Sequence, residues 1–137
     1  GNYLSHISAE SGNTKILEEL YKQDPKILNQ AGTHKKRSPL QASMRGCKLK
    51  AAEFLISHGA NINHQDINGD SAIITAARSN CFGGVILLSE YGAKLNLQNK
   101  DGKSLITYIK GNGVDYIIEH KQNRHIASDN KKAKKEK

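Results

Sequence analysis

Part of this chain repeats itself at a spacing of 33 residues, and that limits the possible fold more than any other feature. Residues 59–73, GANINHQDINGDSAI, overlie residues 92–106, GAKLNLQNKDGKSLI. Gly59 meets Gly92, Ala60 meets Ala93, Asn63 meets Asn96, Gln65 meets Gln98, Gly69 meets Gly102 and Ser71 meets Ser104. One period before Ser71 stands Ser38-Pro39-Leu40. Tyr3-Leu4 holds the same stage one unit earlier, and the longer step of 35 residues predicts a small insertion near residues 32–37. A unit of this size cannot cover its own apolar face, whereas a stack of such units shares one continuous core.

Inside each unit the apolar pattern describes two short helices. Pro39 follows a Ser38 cap, where proline's fixed φ suits a helix start. Leu40, Ala42 and Ser43 follow, and Gly46 interrupts. Leu49, Ala51, Ala52, Phe54, Leu55 and Ile56 then form a second helix with a wide apolar stripe, which Gly59 stops. The next unit repeats the plan, with Ser71, Ile73, Ala76 and Ala77, a break near residues 80–84, Val85–Leu88, and closure at Gly92. Between units, Asn68-Gly69 and Asp101-Gly102 occupy one register, and such pairs favour turns with positive φ. The expectation is an all-α solenoid of helix-turn-helix pairs with projecting β-hairpin-like fingers.

The motifs resemble those of the ankyrin-repeat family. Ser38-Pro39-Leu40-Gln41-Ala42 is similar to the family's Thr-Pro-Leu-His opening. Phe54-Leu55-Ile56-Ser57-His58-Gly59-Ala60-Asn61-Ile62-Asn63 resembles its ending, and Asp66-Ile67-Asn68-Gly69-Asp70-Ser71 its finger. The resemblance spans roughly residues 3–120, as units near 3–36, 37–69, 70–102 and 103–121 of a 1–121 array. The end units depart from the pattern: the first has Asp24-Pro25 in place of Gly-Ala, and the last has Tyr108 and Ile109 where small residues are usual.

The resemblance implies a concave binding surface made by the fingers and the first helix of each unit. It also implies a protein-interaction module without chemistry of its own. The positions matching the family's variable contact sites are His34, Lys35, Arg37 and Arg45; Ile67, Asn68, Asp70 and Arg78; and Lys100, Asp101 and Lys103. Arg45 and Arg78 are one repeat apart, so they should be neighbours on the inner face. A guanidinium suits bidentate carboxylate recognition. The expected partner is therefore an acidic or mixed-charge protein segment, and the plain alternative is solvated surface charge.

The 137 residues carry a net charge of +8, unevenly spread. Residues 121–137 hold seven basic and two acidic side chains, more than half of the excess. Residues 122–137 read as a disordered basic tail or linker, with polyanion binding or nuclear import as weaker alternatives. Nucleic acid is not expected to bind elsewhere, because the body lacks aromatics spaced for base stacking. No apolar run approaches the ~20 residues of a membrane span. Gly1 reads as a tag remnant, so a targeting signal could have been lost. Cys47 and Cys81, the two cysteines, do not form a disulfide framework. They read as small buried thiols in a reducing compartment, the cytoplasm first, with the nucleus or a host-cell cytosol as alternatives.

Phosphate-loop, His-Glu-x-x-His and Gly-x-Ser-x-Gly motifs are absent from the sequence. His6, His34, His58, His64, His120 and His125 have no ligand spacing with either cysteine. No catalytic residue, cofactor or metal is expected, and the array should be a monomer. The other reading is an ankyrin targeting segment of a larger enzyme or secreted effector whose catalytic domain lies in a separate part of that protein.

Overall fold

The computed structural model describes residues 3–33, 35–111, 114, 115 and 118. His34, the basic tail and the expected array boundary at residue 121 lie outside the described residues. Three helix pairs follow in order: α1 (Leu4–Ser11) with α2 (Thr14–Gln23), α3 (Pro39–Arg45) with α4 (Leu49–Ser57), and α5 (Ala72–Arg78) with α6 (Phe82–Glu90). A further inner helix, α7 (Leu105–Ile109), stacks on α5, and a 3-10 turn (Pro25–Asn29) follows α2. Helices α1, α3, α5 and α7 form the inner layer, each packed on the next, while α2, α4 and α6 form the outer layer. There is no strand among the described residues, so the fingers are turns rather than ladders.

Local chemistry explains the elements. Ser38 Oγ accepts from Gln41 N–H at 3.2 Å and Gln41 Oε1 accepts from Ser38 N–H at 3.0 Å. This reciprocal pair satisfies two of the backbone donors a helix start leaves open, and Pro39 sits at the first helical position. The inter-helix turn is left-handed in every pair, at Gly12 (φ 81°), Cys47 (φ 53°) and Asn80 (φ 58°). The finger turn is left-handed too, at Lys36 (φ 55°), Gly69 (φ 77°) and Gly102 (φ 73°). Non-glycine residues at such angles cost of order 1 kcal/mol, which the surrounding stack sustains.

The core is one continuous cluster. Ala9, Ala42 and Ala76 let the inner helices approach, and Leu17, Leu40, Leu55, Ile73, Leu88 and Leu105 fill the space between layers, all buried. Each fully buried Leu or Ile contributes roughly 1.5–3 kcal/mol. Gly46 marks a close approach, since a Cβ there would stand 2.0 Å from the Glu10 carbonyl oxygen.

The cysteines depart from expectation. Cys47 and Cys81 form a disulfide with Cα atoms 5.4 Å apart, and only Cys81 is buried. Stacking brings consecutive inter-helix turns within the Cα separation that a disulfide needs. Cys47 occupies the left-handed turn position, and Cys81 stands one residue after that position in the next unit. A separation of 34 residues, one more than the repeat, therefore joins turn to turn. The free, buried thiols read from the sequence are not what forms, and the reducing compartment argued from them loses that support.

Candidate functional site

The second and third fingers are each shaped by one carboxylate or carboxamide. Asp66 Oδ1 accepts from the backbone N–H groups of Asn68 (2.9 Å) and Asp70 (3.0 Å). One repeat on, Asn99 Oδ1 accepts from those of Asp101 and Lys103, both at 3.0 Å. Neighbouring fingers are then joined by single backbone bonds in the same register. Ile67 N–H donates to Lys35 C=O at 2.9 Å, and Lys100 N–H donates to Asn68 C=O at 3.0 Å. The fingers therefore form a row tied at one rung each.

Beneath the row, fully buried Gln41 turns its amide across the unit boundary. Its Nε2 donates to Asp70 C=O (2.9 Å), Asp66 Oδ2 (3.2 Å) and Thr75 Oγ1 (3.3 Å). His6 holds the same place one unit earlier, and its Nε2–H donates to Arg37 C=O at 2.7 Å. Burial holds the His6 imidazole below the ordinary histidine pKa, and this bond to Arg37 opposes the shift only in part.

These contacts set out a cleft of about 250 Å³ between consecutive fingers and inner helices. Lys35, Arg37, Arg45, Asp66, Asn68, Asp70, Thr75, Arg78 and Ser79 line it. The side chains of Asp66 and Asp70 are only 2% and 7% exposed, and both are satisfied within the protein. Asp70 Oδ2 accepts from Arg78 at 2.7 Å and Asp70 Oδ1 accepts from Asn99 Nδ2 at 2.9 Å. Asp66 Oδ2 lies 3.8 Å from Arg37 Nε. Arg78 also lies over the Tyr108 ring, 5.5 Å from its centroid, and the Tyr108 hydroxyl accepts from Asn99 Nδ2 at 2.8 Å.

The residues singled out from the sequence thus divide. Lys35, Arg37, Arg45, Asn68, Asp70 and Arg78 line one cleft, and Arg45 and Arg78 are indeed brought to it together. Asp70 is buried and committed to Arg78, so it supports the wall rather than offering itself to a partner. Ile67, Lys100, Asp101 and Lys103 are exposed on the fingers outside the cleft. The sequence reading passed over Gln41, Asp66, Thr75, Ser79, Asn99 and Tyr108. Asp66 and Asn99 carried a signal, since both stand at the acidic position of the finger motif and three residues before its glycine.

Among the described residues no group of three His, Cys, Asp or Glu side chains could hold a metal ion, and no helix is long and apolar enough to cross a membrane. In comparison with known proteins, the family model described as ankyrin repeats (3 copies) matches residues 5–99.

Proposed function

Because the chain belongs to the ankyrin-repeat family, whose domains are generally protein-interaction modules and typically non-catalytic, we propose that it binds a protein partner through the concave face of fingers and inner helices. The observation that carries this reading is the cleft where two fingers meet α3 and α5. It holds four cationic side chains against two buried carboxylates. The side chain of Arg45 is exposed there, with no hydrogen bond or ion pair among the described residues. An unpartnered guanidinium on a preformed wall costs little to reorganise and is the kind of group that anchors an interface. The partner surface it fits is acidic or of mixed charge.

Charge reversal at Arg45 is the cleanest test. Arg78→Glu would place a carboxylate against Asp70 and disturb the fold, whereas Arg45→Glu removes no internal contact. A partner retained by wild type in a pull-down should be lost by Arg45→Glu, with an unchanged circular dichroism spectrum and melting temperature. Retention of the same partner by the folded variant would defeat the reading.

A further inference from the structure

The charge arithmetic of the cleft goes further than an acidic surface in general. Asp66 spends Oδ1 on two backbone donors and Oδ2 on Gln41, with Arg37 beside it. Asp70 spends one oxygen on Arg78 and the other on Asn99. Each carboxylate thus offsets one guanidinium, Arg37 or Arg78, and both are buried with each oxygen already bonded inside the protein. The other two cations, Lys35 and Arg45, have no anionic partner among the described residues. The cleft therefore carries a surplus of two positive charges.

We infer that the cleft receives the phosphate group of a phosphorylated serine or threonine on the partner; this inference rests on the concave-face reading above. A phosphate monoester bears about −1.5 to −2 charges at neutral pH, which matches that surplus, whereas a carboxylate leaves one cation uncompensated. Guanidinium forks present paired donors to phosphate oxygens. Arg78 commits NH1 to Asp70, and its side chain is still 49% exposed. The Ser79 hydroxyl on the wall adds a neutral donor. A volume of about 250 Å³ is that of roughly eight water molecules, room for one phosphate and the side-chain stem bearing it. No aliphatic or aromatic side chain lines the cleft, so it offers an apolar anchor nothing to pack on. The nearby aromatic, Tyr108, carries Arg78 over its ring and does not line the cleft, so the cleft itself holds no aromatic platform for a nucleotide base.

The test begins with small probes followed by amide chemical shifts on the whole chain: N-acetyl-phosphoserine amide, N-acetyl-glutamate amide and inorganic phosphate. The phosphoserine probe and inorganic phosphate should both saturate shifts at Asn68 and Ser79. Their affinity should fall as pH drops through the phosphate's second pKa of about 6. Arg45→Gln should weaken both by about tenfold, the scale of one charge-assisted hydrogen bond. Equal binding of the glutamate probe, shifts confined to residues outside the cleft, or unchanged affinity in Arg45→Gln would each overturn the assignment. Phosphatase treatment of the lysate before the pull-down separates the two readings. Capture that survives phosphatase but is lost in Arg45→Glu overturns the phosphate and leaves the concave face standing. Capture indifferent to both removes the concave face itself.

Discussion

His6 and Gln41 are different side chains in one structural role. Each turns an Nε2–H donor across a unit boundary to the carbonyl that ends the next finger, Arg37 C=O in one case and Asp70 C=O in the other. The imidazole can gain a proton and the carboxamide cannot, so of these two donors only His6 is sensitive to pH. Since burial lowers the folded-state pKa of His6, its neutral form belongs to the native protein. Its contribution is complete above the unfolded value of about 6.5 and is lost as pH falls from there toward the folded pKa. His6→Gln keeps the donor and removes the titration. Its melting temperature should drop less than that of wild type between about pH 7.5 and about pH 5.5; equal drops would mean that His6 does not carry the effect. The place of these residues could be read from the sequence, since Gln41 stands in the motif that opens its unit and His6 lies one 35-residue step before it. Their bonds could not, because each acceptor lies about thirty residues away and becomes a neighbour only through stacking. The bond of Arg78 escapes the sequence for a different reason. Its spacing from Arg45 predicted a shared wall, but nothing local announced that Asp70, eight residues earlier, would take one of its nitrogens.

At the level of elements, helices and turns were the legible part. Pro39 after Ser38, Gly59 and Gly92 at helix ends, and the Asn-Gly and Asp-Gly fingers each impose a local backbone geometry that needs no distant partner. Cys47 and Cys81 show where this stops. A pairing at one repeat plus one residue is visible only once consecutive turns are known to lie edge to edge. The bridge closes a loop set by a separation of 34 residues, and by chain entropy such a closure is worth roughly 3–4 kcal/mol. Reduction should lower the stability against urea by about that amount, without changing the helical spectrum in the absence of urea. Maleimide labelling of the unreduced, denatured protein should find no reactive thiol. Two labelled cysteines in protein taken directly from cells would instead restore the reducing-compartment expectation.

Across the whole molecule, the boundaries between units are not equal. The buried donor supplied by His6 and then Gln41 is replaced in the third unit by Ile74, which has none. The last boundary is held instead by Asn99 and Arg78 converging on Tyr108. At the first boundary the backbones pass in close contact, because Gly46 leaves room for the Glu10 carbonyl. Gly46→Ala forces the backbones apart and should cost about 3 kcal/mol or more. Hydrogen exchange should show α1 and α2 losing protection while α5 and α6 keep theirs, as expected where each unit contacts only its neighbours. Uniform loss along the chain would mean that the array behaves as one cooperative block.

The disulfide joins the same two units whose arginines line the cleft. Arg45 stands two residues before one sulfur, and Arg78 three before the other. If opening the bridge relaxes the spacing of those walls, the two events share a coupling free energy. A ligand that prefers the bridged form must then hold the bridge closed by the factor through which the bridge improves its binding. Occupancy and oxidation state would become two readings of one equilibrium.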